Sequence, residues 1–191
     1  MIARITIAAA LVSGLALAAS SSPAQATSQT APMHKTMFHH AKGSSVSMTD
    51  KSFMNKAAVG GIAEVQMGNL ALQKASDQAV RSHAQHMIDD HTKANDELKS
   101  IAQSKGVKLP TQPDAKDKAL IGKLGRLSGK DFDRTYIKEG GVKAHQQMAS
   151  LFRSEKSKTK DPQVKDFASR TLPVIEEHLK DSQNLANGSA R

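Results

Sequence analysis

Four residues near the middles of four helical segments are of types that bind transition metals: Glu64, His91, His145 and His178. Each lies on a line of mostly apolar or small residues that recur at spacings of three and four, the period of one helix face. A carboxylate or an imidazole on such a face is directed toward the core, where it is unfavourable unless paired or bound to an ion. Because the midpoints of antiparallel helices meet at one level, we expect the four side chains to converge.

One carboxylate and three imidazoles form a ligand set suited to a divalent transition metal such as Fe, Mn or Zn. Asp90 and Glu177 directly precede two of the histidines and are candidates to orient a ring nitrogen from outside the ligand set. His83 and His86 are expected on a face turned partly to water. The Glu-x-x-His pairs of a di-iron bundle are missing, since the third residue after Glu64 is a methionine. Three interpretations stay open: a metal site, a buried hydrogen-bond network without an ion, and a partner-binding surface.

Helical periodicity runs through most of the chain after residue 48, and no stretch shows the alternation of a strand. The pattern predicts long helices over about 49–75, 77–105, 131–157 and 161–185, and a shorter one over 116–127. Capping residues at Thr49-Asp50, Asp77 and Asp161-Pro162 mark three of the starts, and Gly106 marks an end. The prediction is therefore all-α: an up-down-up-down four-helix bundle with one extra short helix between helices two and three.

Glycines interrupt two of the predicted helices. Gly60, Gly61 and Gly68 share the first helix, and such small residues let a neighbouring helix approach closely. The pair Gly140-Gly141 lies inside the third long helix and is expected to weaken it and bend it.

The first part of the chain has the features of an export signal. Arg4 precedes an apolar run from Ile5 to about Ala19, and Ala24-Gln25-Ala26 fits a signal-peptidase site, so residues 1–26 are predicted to be a signal peptide. A retained anchor is the alternative, although the run is shorter than the roughly 20 residues of a spanning helix. Residues 27–48 are predicted as a disordered spacer, 49–187 as the bundle and 188–191 as a disordered tail. The mature chain is thus expected in the periplasm, without a membrane span.

Composition excludes several classes of function. The 191 residues include no cysteine, which rules out disulfides, thiolate metal sites and cysteine nucleophiles. The net charge of +9 suits an anionic envelope polymer or a protein partner. With one tyrosine, five phenylalanines and no tryptophan, the chain has too few aromatics for base stacking, and no nucleic acid is expected. No Gly-x-Ser-x-Gly, phosphate-binding loop or His-Glu-x-x-His motif is present.

Several motifs together resemble one family. The run Asp90-His91-Thr92-Lys93-Ala94-Asn95 is the most specific, and Gly60-Gly61, Gly68-Asn69-Leu70-Ala71 and Thr171-Leu172-Pro173 accompany it. Over about residues 50–186 the chain is similar to the DUF4142 family of exported bacterial proteins, often labelled membrane proteins. The resemblance implies a ferritin-like helical bundle and brings no settled activity. Members often carry an acid directly before the third-helix histidine, where this chain has Ala144.

Two functional hypotheses follow. The leading one is a non-enzymatic, exported ferritin-like bundle that acts in envelope stress tolerance through metal or partner binding. The second is a metal-dependent redox enzyme that uses Glu64, His91, His145 and His178 as ligands.

Overall fold

Helices account for nearly all of residues 46–188, the part of the chain that the computed structural model describes. Their order is α1 (Met48–Lys74), α2 (Gln78–Ser104), α3 (Ala115–Gly125), α4 (Gly129–Thr135), a π-helical segment (Tyr136–Lys143), α5 (Ala144–Lys158) and α6 (Pro162–Gly188). α4, the π-helical segment and α5 follow one another without a break and form the third long helix. The predicted signal peptide (1–26) and most of the predicted spacer and tail lie outside the described residues.

The four long helices pack as a closed ring. α1 packs on α2, α2 on α6, α6 on α5, and α5 on α1, while the short α3 packs on α1. Within residues 46–188 there is no strand, and no helix has the length and apolarity to cross a membrane. The predicted all-α, ferritin-like up-down-up-down bundle with one extra short helix is confirmed.

Side-chain caps set the starts of the helices. Asp77 Oδ1 accepts a hydrogen bond from the Ala79 N–H at 2.7 Å, and Asp161 Oδ1 accepts one from the Gln163 N–H at 3.0 Å. Both were predicted from the sequence. α1 differs, since Ser47 caps it by accepting from the Asp50 N–H at 3.0 Å, and the Thr49-Asp50 prediction was wrong by two to three residues. Ser47 lies just before the helix, so its hydroxyl can accept from one of the first backbone N–H groups, which have no partner within the helix.

Two apolar clusters fill the bundle, one toward each end. The first is built around three phenylalanine rings with centroids 4.9 to 6.3 Å apart: Phe53, Phe152 and Phe167. The second contains the stacked pair Phe132 and Tyr136, with centroids 5.8 Å apart. In sequence, Glu64, His91, His145 and His178 each fall between members of the two clusters, so a polar layer separates the clusters.

The glycines of α1 lie where neighbouring helices approach. A Cβ atom at Gly68 would lie 2.8 Å from Cγ1 of Ile88 and 3.2 Å from the carbonyl oxygen of Ala84, both on α2. At Gly61 a Cβ atom would lie 2.2 Å from Oδ1 of Asn95, also on α2. The predicted close crossing is confirmed, and α2 is the main neighbour in it.

Gly68→Ala is expected to destabilise the protein although alanine favours helix formation. Overpacking against Ile88 and the Ala84 backbone costs about 1–3 kcal/mol, and the better helix propensity returns about 1 kcal/mol. The matched control is Gly122→Ala in α3, where the nearest neighbouring atom is 3.9 Å from the new Cβ. Urea denaturation should show a net loss of about 1 kcal/mol for the first variant and a gain for the control. Equal gains in both would contradict a tight crossing.

Two carboxyl groups are buried together where α1 begins and α5 ends. Asp50 and Glu155 are 4% and 3% exposed. Burial raises the pKa of Glu155 to about 7, and a hydrogen bond with Asp50 and the Asp50 charge act in the same direction, while Lys158 opposes them. Because this pKa lies above the ordinary value of 4.5, the folded state holds the proton more tightly than the unfolded chain. Its contribution to stability is complete below about pH 4.5 and is lost as the pH rises through about 7.

Glu155→Gln is expected to reduce this loss of stability, because glutamine cannot ionise and still donates a hydrogen bond to Asp50. Thermal unfolding would be followed at about pH 5 and about pH 8, on either side of the Glu155 transition. The control is Glu176→Gln, which removes an acid that pairs with Arg153 at the surface. An unchanged pH dependence in the Glu155 variant would show that this carboxyl does not govern it.

Candidate metal centre

The four residues singled out by their sequence positions meet in the polar layer. α1 supplies Glu64, α2 His91, α5 His145 and α6 His178, and their exposed fractions are 2%, 6%, 0% and 4%. One ring nitrogen from each histidine can be chosen so that all three lie within 4.8 Å of one another. The ring centroids are 5.3 to 5.5 Å apart. The structure thus brings the four side chains together, and their role as ligands stays a prediction.

The carboxylate of Glu64 completes no hydrogen bond with the residues that the structure describes. Its Oε2 lies 3.0 Å from Nδ1 of His91 and its Oε1 lies 3.7 Å from Nε2 of His145. The His91 pair is close enough for an ion pair, but its geometry does not complete a hydrogen bond, and both carboxylate oxygens are buried without a partner. Burial alone would raise the pKa of Glu64, yet the neighbouring histidines, His91 foremost, lower it to about 2. Glu64 is therefore an anion that still has lone pairs to offer.

The π-helical segment orients His145. Nδ1 of His145 lies 2.8 Å from the carbonyl oxygen of Gly141 and 3.3 Å from that of Gly140. A carbonyl accepts only, so the proton is assigned to Nδ1, and Nε2 presents its lone pair to the centre. The sequence predicted a weakened helix over 131–157, and the structure places eight residues, Tyr136–Lys143, in the wider π-helical turn. Burial lowers the pKa of His145, which keeps this lone pair free.

Asp90 orients His178 in the same way. Nε2 of His178 donates to Oδ2 of Asp90 at 2.9 Å, so the other nitrogen, Nδ1, carries the lone pair. That nitrogen is buried and has no hydrogen-bond partner among the described residues. Burial, followed by the charges of His91 and His145, lowers the pKa of His178 to about 4. Glu177, the other candidate for this role, is exposed, and the structure gives it no hydrogen bond to the described imidazoles.

His91 lies between the carboxylate and a second imidazole. Its Nε2 is 3.4 Å from Nε2 of His145, and its Nδ1 faces Glu64. Burial acts to lower the pKa of His91, but the Glu64 charge outweighs it and the pKa is raised. A His91 protonated on both nitrogens would direct one N–H toward Glu64 and the other toward Nε2 of His145. It would still leave Nδ1 of His178 without a partner, so protons alone do not complete this centre.

A further histidine, His83, was misplaced by sequence reasoning. It was expected partly in water, yet it is 5% exposed and its Nε2 lies 3.0 Å from Oγ of Ser182 on α6. Its ring centroid is 6.1 Å from that of His178. The sequence pattern did indicate that His83 is buried, because it falls between Val80 and Met87, both buried, at spacings of three and four. His86 is exposed, as expected.

Comparison with known proteins gives a family and a fold. The model of DUF4142, a domain of unknown function, matches residues 35–185. A crystal structure of a DUF305 fragment from Deinococcus radiodurans is similar, with a TM-score of 0.67 and 12% identity over 75% of this chain and 99% of that one. CopM in the Cu(I)-bound form is also similar, with a TM-score of 0.62 and 20% identity over 74% of this chain and 98% of that one. No curated protein matches this sequence.

Proposed function

We propose that this chain, which belongs to the DUF4142 family, is an exported bundle that binds one transition-metal ion between Glu64, His91, His145 and His178. The observation that carries the proposal is a set of buried polar atoms at the centre that have no hydrogen-bond partner within residues 46–188: both oxygens of Glu64 and Nδ1 of His178. Buried polar atoms are rarely left unpaired in native proteins. A cation accepts lone pairs from the carboxylate and from the imidazoles at the same time. Protons cannot do this here, because every placement of them leaves Nδ1 of His178 without a partner.

The spacing of the donors supports an ion of ordinary size. Metal–nitrogen bonds of about 2.1 Å in tetrahedral geometry place two ligand nitrogens about 3.4 Å apart. Nε2 of His91 and Nε2 of His145 are 3.4 Å apart. Imidazole suits zinc, copper and iron, whereas manganese prefers oxygen ligands, so of the metals named from the sequence Zn and Fe fit this donor set better than Mn.

The other interpretations have less support. A hydrogen-bond network without an ion leaves Nδ1 of His178 without a partner among residues 46–188. The four residues of the centre are at most 6% exposed, so an ion held among them would be shielded from direct contact with a dissolved substrate, which favours binding over turnover. Export rests on the signal predicted over residues 1–26. One protein of similar fold, CopM, is described in a Cu(I)-bound form, so a bundle of this shape is compatible with holding a metal in envelope stress tolerance.

Metal content tests the proposal directly. Tag-free protein would be loaded with Zn²⁺, desalted and measured by elemental analysis, and we expect about one ion per chain. The double variant His91→Ala with His178→Ala should lose the ion, because a carboxylate and one imidazole remain. His86→Ala is the matched control, since it removes an exposed histidine of the same helix, and it should keep the ion. An unloaded wild-type protein, or equal loading of both variants, would refute the proposal.

Asp90→Ala is expected to weaken metal binding without removing a ligand. The carboxylate fixes the proton on Nε2 of His178, and loss of such an orienting partner typically lowers metal affinity about 10–100-fold. Asp89→Ala is the control, because that carboxylate accepts from Gln85 at the surface. Titration calorimetry with Zn²⁺ compares the two. Equal affinities would show that Asp90 does not support the centre.

A further inference from the structure

A cleft leads from the surface to the centre. Its volume is about 620 Å³, and it lies between α1, the start of α3 and α5. Among the four residues of the centre, Glu64 is the one that lines it. This residue is 2% exposed, and its carboxylate oxygens have no hydrogen-bond partner in the described part of the chain. The cleft therefore ends at the carboxyl group that faces the imidazoles of His91 and His145.

Two methionines form part of the cleft wall on either side of this carboxylate. Along α1, Gly60 precedes Glu64 by one turn and Met67 follows it by one turn. Met148 of α5 lies against Gly60, where a Cβ atom would be 2.2 Å from its Cε. Met67 lies against Gly140, where a Cβ atom would be 3.3 Å from its Sδ. Glycine at both positions leaves the space that the thioethers occupy.

Met148 also connects the cleft with the imidazoles. Besides the cleft, it lines a small cavity of about 20 Å³ that His91 lines as well. The thioether of Met148 thus lies between the open cleft and His91. An ion that moves along α1 from the cleft would meet sulfur before it meets nitrogen.

Charge at the mouth does not distinguish one cation from another. Asp114 and Asp117 line the cleft, but so do Lys56 and Lys116, and the two signs offset each other. Nζ of Lys116 is engaged with Oε1 of Gln147 at 3.1 Å. Any selection among metal ions therefore depends on the uncharged side chains that line the cleft. Soft, uncharged thioethers favour cuprous copper, whereas Zn²⁺ is bound in proteins by thiolate, imidazole and carboxylate groups.

We propose that the cleft over Glu64 is the entrance to the metal centre, and that the thioethers of Met67 and Met148 speed the passage of cuprous ions, but not of divalent ions, through it. The inference rests on the proposed function, because an entrance needs a site to lead to. No electron transfer is involved, since the ion enters and stays as Cu(I), first beside the thioethers and then among the imidazoles.

The thioethers are tested by replacing sulfur while keeping volume. Met67→Leu with Met148→Leu is such a change, and Met48→Leu with Met54→Leu is the matched control outside the cleft. Loading would be followed with Cu(I) supplied as its bicinchoninate complex and, separately, with Zn²⁺. The cleft variant should load Cu(I) about tenfold more slowly and Zn²⁺ at an unchanged rate, because only the soft ion uses sulfur. The control should match the wild type with both ions.

The entrance is tested by closing it. Ala144→Phe places a bulky ring in the cleft wall, and Ile62→Phe does the same in a separate groove between α1 and α2. The first variant should slow loading with both ions and keep the final stoichiometry, and the second should load normally. Unchanged rates in Ala144→Phe, or equal slowing of Cu(I) and Zn²⁺ in the leucine variant, would overturn the inference and leave the proposed function standing. A wild-type protein that takes up neither ion would overturn both.

Discussion

The attraction between one buried carboxylate and three imidazoles is the interaction on which the interior of this bundle depends. Glu64 is withdrawn from water, and burial by itself would favour its neutral form, yet the surrounding rings keep it ionised. Such a layer adds little stability, because desolvation offsets much of the attraction. The apolar clusters at the two ends hold the helices together. The polar layer determines the register in which the helices pack against one another.

Gly140 and Gly141 contribute both to helix packing and to the orientation of a candidate ligand. The carbonyl groups of Gly140 and Gly141 hold Nδ1 of His145, and a Cβ atom at Gly141 would lie 2.6 Å from Oγ of Ser182 on α6. The π-helical turn therefore orients an imidazole and admits the neighbouring helix at one point. π-helical turns inside α-helices are frequent at functional sites. Here the turn also faces Met67, so it connects the centre to the wall of the cleft.

Unpaired atoms at the centre are informative because they are unfavourable for an apo protein. The hydroxyl of Tyr136, the oxygens of Glu64 and Nδ1 of His178 are all buried without a hydrogen-bond partner among the residues described by the structure. Apolar residues of similar volume would generally pack such a core with equal or greater stability. A protein that keeps these groups is better explained by a ligand that uses them than by folding alone.

The sequence by itself determined the helices and the depth of the site. Periodicity reports which face of a helix is apolar, caps such as Asp77 and Asp161 are local, and antiparallel helices align their midpoints whatever their side chains. Only the tertiary structure decided which acid orients a ring, that His83 is buried, that Gly140-Gly141 opens a π-helical turn, and where the cleft lies. Each of these depends on the rotation and register of one helix against another, which are set by contacts between residues far apart in the chain.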